Sequence, residues 1–273
     1  MMTRWICCLA VFTLLAFACH AQSAAPQAAY RAEAVASGGT ITGTVKWSGA
    51  AEKDLSRPIT KNADVCDPNN QKNRELERLV IGPDGGVANT VVFLSNVTHG
   101  KAMDLPPARQ SLDQKNCRYE PHILLVPKDG NFQMKSSDTV LHNIHMVGAA
   151  VYNLPFPIKD KVISRPMHRD GVIDLKCDAG HVWMNAEVLV VTHPYYAITD
   201  AHGNFELANV PPGEYVVTAW HEGWKIAREE TVIDVDSHQE VRRPIFSEPK
   251  TWDEKVTLPP NGTAKVSFTL SDK

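Results

Sequence analysis

The stretch Cys177-Asp178-Ala179-Gly180-His181-Val182-Trp183-Met184 places a thiol, an imidazole and a thioether within eight residues. It joins residues 171–176 to residues 184–191, and both flanking segments have the length and apolar alternation of β-strands. Thiolate, imidazole and thioether are the soft donors that a mononuclear copper site combines with a second imidazole. We therefore predict that Cys177, His181 and Met184 are three ligands of one copper ion.

The second imidazole is expected from a neighbouring strand. In the alternation of residues 140–145, His142 and Ile144 face one side while Asn143 and His145 face the other. We choose His142 as the fourth ligand, and His145 is the alternative because a β-bulge would reverse this alternation. Asn143 is then expected to hydrogen-bond the cysteine loop and hold it closed.

Zinc is the competing metal for such a site. It accepts one Cys and two His, but it gains little from Met184 and usually has more thiolates or a carboxylate around it. The donor set therefore favours copper.

The N-terminus has the pattern of an export signal. Arg4 supplies a positive charge, an apolar run follows over residues 5–17, and small residues come next. This pattern predicts a secretory signal peptide over residues 1–21 and a periplasmic or extracellular protein. The alternative is cleavage before Cys19, which would leave that residue as an N-terminal lipid anchor.

Three of the six cysteines remain after the signal region is removed. In an oxidising compartment, Cys66 and Cys117 are expected to form a disulfide. Cys177 is then left unpaired, and an unpaired thiol is exposed to oxidation unless a metal occupies it. The count of cysteines therefore supports the metal site independently of its spacing.

Composition excludes several classes of protein. The chain has 273 residues, 43% of them hydrophobic and 22% charged, which is enough for one large or two modest globular domains. No further apolar stretch is long enough to span a bilayer, and a formal net charge of −3 does not indicate a nucleic acid partner.

Short strands separated by turns dominate the rest of the chain and predict an all-β sandwich or barrel. Residues 39–47 are expected to form a strand and residues 49–78 a loop. Strand pairs are expected at 79–81 with 91–94, at 122–127 with 132–134, and at 255–258 with 264–270. Residues 148–170 and 226–250 are predicted to be irregular connections.

The motifs Pro121 to Val126, Ser137-Asp138 with His142-Asn143, and Cys177 with His181 and Met184 resemble those of the cupredoxins. This resemblance implies a Greek-key β-sandwich over residues 118–192 and electron transfer. By that comparison, the four predicted ligands fill the copper positions.

The cysteine loop departs from the shortest cupredoxin loops, because three residues rather than two separate Cys177 from His181. This spacing resembles half of the binuclear copper loop of respiratory oxidases. That loop needs a second Cys four residues earlier, where this chain has Ile173. A mononuclear site is therefore expected.

A second resemblance covers the flanks. Residues 199–205 and Val210-Pro211-Pro212-Gly213-Glu214-Tyr215 resemble the carboxypeptidase regulatory-like (transthyretin-like) β-sandwich, and residues 39–45 resemble its first strand. We expect this module over residues 193–273, with residues 38–117 as an N-terminal β segment that contains the disulfide loop. The cupredoxin-like part is then a candidate insertion into the regulatory-like module. These motifs specify turns, so no peptidase activity is implied.

Three functions compete at this stage. The first is a one-electron carrier that exchanges electrons with an unidentified redox partner protein. The second is a copper chaperone or sensor, and the third is a non-redox β-sandwich binding module. The chain has no recognisable nucleophile and base pair, so an enzyme is not expected.

Overall fold

The protein is described by a computed structural model that covers residues 29–50, 55–106, 110–234 and 237–272. These residues form strands throughout, with one four-residue helix, which confirms the predicted all-β class. The predicted signal peptide over residues 1–21, with Cys19, lies outside the described residues. Within the described ranges, no helix has the length and apolar character needed to cross a bilayer.

The helix α1 is Ala63–Cys66. The strands in chain order are β1 Arg31–Ala32, β2 Gly39–Trp47, β3 Ser56–Pro58, β4 Asn73–Glu75, β5 Val91–Leu94, β6 His99–Gly100, β7 Ser111–Lys115, β8 Arg118–Glu120, β9 Ile123–Pro127, β10 Asn131–Ser136, β11 His142–Gly148, β12 Tyr152–Phe156, β13 Ile163–Pro166, β14 Gly171–Lys176, β15 Asn185–Val191, β16 Tyr196–Ile198, β17 Asn204–Val210, β18 Gly213–His221, β19 Ile226–Ile233, β20 Glu240–Phe246, β21 Lys250–Leu258 and β22 Thr263–Leu270.

Two sheets form a sandwich that we call the outer sandwich. One has the order β16-β5-β18-β21 and the other the order β17-β2-β22. Alternate residues of these strands, such as Ile41, Val217 and Val266, meet in one apolar cluster between the sheets. Strands β2 and β5 come from residues 39–94, whereas the other five come from residues 196–270. The outer sandwich therefore takes strands from both sides of the intervening chain.

The intervening chain forms the central sandwich. Its sheets have the orders β13-β10-β7-β8 and β12-β11-β14-β15-β9. Strand β7, which precedes residue 118, pairs with β10 in this sandwich. In β9, Leu124 and Val126 face the central core, while Ile123 and Leu125 pack with Trp220 of the outer sandwich. Strand β9 is apolar on both faces because both of its faces are buried.

The predicted strand pairs at 122–127 with 132–134 and at 255–258 with 264–270 are wrong. Strands β21 and β22 lie in different sheets, where β21 pairs with β18 and β22 pairs with β2. Strands β9 and β10 lie in different sheets, and the turn in which Gly130 N donates to Pro127 O carries the chain across the sandwich. The predicted strand at 79–81 is reduced to an isolated bridge between Ile81 and Val87.

Three segments that we expected to be irregular form strands. The first is the predicted loop over residues 49–78, in which β3 and β4 form an antiparallel pair. Strands β12 and β13 lie at sheet edges, where Pro155 and Pro166 are tolerated because an edge leaves one side of the strand unpaired. Strands β19 and β20 form a two-stranded ribbon within residues 226–250. Val232, Val241 and Phe246 of this ribbon pack against the core of the central sandwich.

Candidate metal centre

Strand pairing brings the predicted ligands to one end of the central sandwich. His142 begins β11, Cys177 follows β14, and these strands are antiparallel neighbours. The loop after Cys177 turns sharply at Gly180, which has a φ of +88° and lies so close to Asp234 that a side chain would overlap it. Beyond the turn, Met184 N donates a 2.9 Å hydrogen bond to His181 O, and β15 begins.

Three donor atoms converge in this region. The ligand atoms of His142, Cys177 and His181 all lie within 4.8 Å of one another. The two Nδ1 atoms are 3.2 Å apart, and Cys177 Sγ is 3.7 Å from His181 Nδ1. All three residues have an exposed fraction of 0%. We call these three residues the metal centre.

The outer nitrogen of each imidazole has an acceptor. His142 Nε2 lies 2.9 Å from Asp138 Oδ2, and His181 Nε2 lies 3.0 Å from Asn62 Oδ1. Carboxylate and amide oxygens only accept hydrogen bonds, so each Nε2 carries the proton. Both Nδ1 atoms therefore turn lone pairs towards the same point. Metal-ligating histidines typically have this arrangement, because the outer bond fixes the tautomer.

The pKa values of the two imidazoles move in opposite directions. Burial is the main reason that the pKa of His181 falls from 6.5 to about 3, and the nearby His142 lowers it further. Burial also opposes the charged form of His142, but the hydrogen bond to Asp138 and the proximity of Cys177 outweigh it and raise its pKa. Without a cation, the two facing lone pairs repel each other, and His142 is the more basic of the two rings.

The other two candidate ligands are placed differently. Met184 has an exposed fraction of 2% and belongs to the same apolar cluster as Cys177, which is compatible with an axial ligand. His145 lies apart from the converging donors. Its Nδ1 is 2.6 Å from Asp178 Oδ2, and its side chain is 28% exposed. The structure therefore groups His142, and not His145, with Cys177 and His181.

The cysteine loop is held by two side chains. Asn143 Oδ1 accepts hydrogen bonds from the backbone N–H groups of Asp178 and Ala179, which confirms the expected contact. Arg243 of β20 donates a 2.8 Å hydrogen bond to Cys177 O and lies 2.9 Å from Asp178 Oδ1. Arg243 was not predicted from the sequence, because the ribbon that carries it was expected to be an irregular connection.

The predicted disulfide between Cys66 and Cys117 is confirmed, and it lies beside the metal centre. Both of its sulfur atoms are within 4.8 Å of a His181 ring nitrogen. Asn62, which we did not single out from the sequence, comes four residues before Cys66. The predicted pairing of Cys66 with Cys117 could have pointed to Asn62, because the disulfide tethers the segment around Asn62 to the central sandwich.

The donor set fits copper. One thiol and two imidazoles converge, a buried thioether follows in the same loop, and no carboxylate of the described residues belongs to the converging triad. Asp138 instead occupies the outer nitrogen of His142. Zinc sites more often include a further thiolate or a carboxylate, so this chemistry suits copper better.

Comparison with known proteins identifies the outer sandwich. A family model described as the carboxypeptidase regulatory-like domain matches residues 176–271. This range contains β15–β22, of which β16–β18, β21 and β22 belong to the outer sandwich, and the earlier strands β2 and β5 pair with strands of that group. The chain therefore contains a carboxypeptidase regulatory-like β-sandwich domain. A search of curated protein sequences found no match.

Solved structures with similarity to this chain include mutants of amicyanin. An oxidised mutant is 24% identical over 30% of this chain and 80% of its own, with a TM-score of 0.27. A second oxidised mutant is 22% identical over 32% of this chain and 87% of its own, with a TM-score of 0.28.

Proposed function

We propose that the central sandwich is a cupredoxin-like module that binds one copper ion through His142, Cys177, His181 and Met184. We propose further that the protein is an exported one-electron carrier that exchanges electrons with a redox partner protein. The supporting observation is the convergence of two imidazole Nδ1 atoms and one unpaired thiol within 4.8 Å at a fully buried point.

The chain's own residues would keep these donors fixed. Asp138 and Asn62 hold the outer nitrogens of the two imidazoles, and Asn143 holds the backbone of the cysteine loop. Copper in such a site supplies one-electron chemistry, because thiolate, imidazole and thioether suit both of its oxidation states. Because hydrogen bonds to their outer sides hold these ligands, they would move little when the copper ion changes its charge. A small movement of the ligands favours electron transfer.

Burial distinguishes this function from the alternatives. Each of the three donor residues has an exposed fraction of 0%, so neither a substrate nor a second metal carrier reaches them directly. An electron needs no such access. We therefore propose a carrier rather than an enzyme, and we prefer the carrier to a chaperone that passes its ion to another protein.

Two observations support export. The N-terminal sequence has the pattern of a signal peptide, and the Cys66–Cys117 disulfide is typical of an oxidising compartment. We accordingly propose a periplasmic or extracellular location.

The test is a visible absorption spectrum of the chain produced without residues 1–21 and loaded with Cu(II). We expect an intense thiolate-to-copper band in the wild type, and we expect Cys177→Ser to lack it. His168→Ala is the matched control, because this histidine belongs to the same sandwich but is 69% exposed. It should keep the full band.

The outcomes separate the candidate functions. If the thiolate-to-copper band also disappears or shifts strongly in Met184→Leu, the result supports Met184 as the axial ligand. Copper binding without any thiolate band would contradict the carrier and favour a non-redox copper protein. No copper binding by the wild type would leave a non-redox binding module.

A further inference from the structure

The residue that holds His181 from outside is itself tied to the disulfide. Asn62 has a φ of 50° and is the N-cap residue that precedes α1. Its backbone oxygen accepts hydrogen bonds from Val65 N at 3.0 Å and Cys66 N at 2.8 Å. Cys66 is the last residue of this helix and is bonded to Cys117. The position of the Asn62 side chain therefore follows from the position of Cys66.

The other end of the disulfide leads to the second imidazole. Cys117 N donates a 2.8 Å hydrogen bond to Asp138 Oδ2, the same oxygen that lies 2.9 Å from His142 Nε2. Asp138 Oδ1 also accepts a 2.8 Å hydrogen bond from Asn116 N. The carboxylate that orients His142 is thus positioned by the backbone at Cys117.

These contacts close a ring around the metal centre. Starting from His142, the ring passes through Asp138, Cys117, Cys66 and Asn62 and returns at His181. Within it, the Cys66–Cys117 bond joins the segment that carries Asn62 to the segment that carries Cys117. Both cysteines have an exposed fraction of 0% and lie against His181. A disulfide placed only to stabilise a loop would not need to connect the outer partners of both imidazoles.

We propose that Asn62 is a positioning residue for His181, and that the Cys66–Cys117 disulfide holds it in place. Reduction of this disulfide then weakens copper binding. The effect on copper rests on the proposed function, whereas the effect on the His181 tautomer does not. The proposal thus makes the state of one disulfide a control on the metal centre.

The chemical step that operates this control is thiol–disulfide exchange. Because both cysteines are fully buried, the exchange needs a local opening of the segment around Cys66. An external dithiol then transfers two electrons and two protons to the Cys66–Cys117 bond, which breaks to give two thiols. The dithiol itself becomes a disulfide. The segment around Asn62 then loses its covalent link to Cys117, so its amide oxygen is no longer held against His181 Nε2.

The first experiment uses the metal-free protein. Long-range nitrogen–proton NMR spectra report which ring nitrogen of His181 carries the proton. We expect Nε2–H in the wild type and in Asn62→Asp, which keeps an acceptor oxygen. In Asn62→Gly, which tolerates the left-handed φ but has no acceptor, we expect a mixture of tautomers. An unchanged Nε2–H tautomer in Asn62→Gly would overturn the positioning role.

The second experiment measures Cu(I) affinity by competition with a chromogenic chelator. Loss of an outer partner of a metal-bound histidine typically weakens binding by about 10- to 100-fold, and we expect this for Asn62→Gly. Asn62→Asp should remain within about threefold of the wild type, because the acceptor is kept. A wild type that binds no copper would refute the proposed function, while the tautomer experiment would still decide the role of Asn62.

The third experiment addresses the disulfide. Dithiothreitol added to the metal-free wild type should produce the same tautomer mixture as Asn62→Gly. The double variant Cys66→Ala and Cys117→Ala should show that mixture without reductant, bind Cu(I) more weakly than the wild type, and show no response to dithiothreitol. A reduced wild type with an unchanged His181 tautomer and unchanged near-ultraviolet circular dichroism would contradict control by the disulfide.

Discussion

Two groups of buried polar side chains in this protein satisfy their charges in different ways. We call the first the arginine cluster, which consists of Arg78, His122, Glu187 and Glu222 near the contact between the two sandwiches. Arg78 Nη1 lies 3.0 Å from Glu187 Oε1 and 2.5 Å from Glu222 Oε2, and His122 Nε2 contacts the other oxygen of Glu222. Cations and carboxylates therefore face each other.

The metal centre contains the opposite arrangement. His142, Cys177 and His181 direct electron-pair donors at one another, while the Nε2–H groups of the two imidazoles point outwards. The pKa values follow this difference. Burial opposes the charged form of Glu222, but Arg78 and His122 outweigh it and lower its pKa, whereas burial lowers the pKa of His181 to about 3. Opposite charges in the arginine cluster face each other, whereas the converging donors leave lone pairs that a bound cation would neutralise.

The largest expected effect is the removal of the central cation of the arginine cluster. Arg78→Met should reduce the free energy of unfolding by about 3–5 kcal/mol, because it leaves Glu187 buried without its charged partner and Glu222 with His122 alone. Urea unfolding at pH 7 measures this change. Arg242→Met is the matched control, because the Arg242 side chain is 77% exposed and water screens its ion pair with Glu229. That control should change stability by no more than about 0.5 kcal/mol. Equal stability of the two variants would show that the cluster is not held by its charges.

The next largest effect is the change in the free energy of unfolding when the metal centre binds copper. Copper at a free concentration of 100 times its dissociation constant should raise the free energy of unfolding by about 2.7 kcal/mol. Cys177→Ser should lose this increase, whereas Arg78→Met should keep it, because the two clusters act independently. Urea unfolding with and without copper gives the comparison. An equal increase in Cys177→Ser would place the bound copper elsewhere.

The metal centre could be predicted from sequence where its evidence is local. Cys177 and His181 share one tight loop, and the parity of a single strand separates His142 from His145. The disulfide followed from counting the cysteines that come after the predicted signal peptide. Fold class followed from the apolar alternation, since the strands of both sandwiches bury alternate residues.

The features that could not be predicted depend on distant contacts. Asn62 precedes His181 by 119 positions, and the disulfide brings it near. The ribbon of β19 and β20 follows β18 of the outer sandwich, and most of its residues are exposed or only partly buried, so its sequence is as polar as a loop. Gly130 marks a turn, but the residues there do not reveal whether the chain returns in the same sheet or crosses to the other.

A smaller effect concerns His193, a buried histidine outside both clusters. Burial lowers its pKa to about 4, so the folded chain binds its proton later than the unfolded chain as the pH falls. Stability should therefore decline between about pH 6.5 and pH 4, by roughly 2 kcal/mol at pH 5. His193→Gln should remove this part of the pH dependence in urea unfolding. The more exposed His99→Gln should not, and a similar flattening in that variant would assign the effect to other groups.

The smallest expected effect is that of replacing His145, the histidine of β11 that lies outside the metal centre. His145 is 28% exposed and pairs with Asp178 at 33% exposure, so His145→Gln should change the free energy of unfolding by less than about 1 kcal/mol. Its thiolate-to-copper band should match that of the wild type, because the ring faces away from Cys177 and His181. His142→Gln is the paired variant, and it should lose the band while remaining folded by circular dichroism. The reverse result would mean that the strand shifts its register when copper binds and that His145 becomes the ligand.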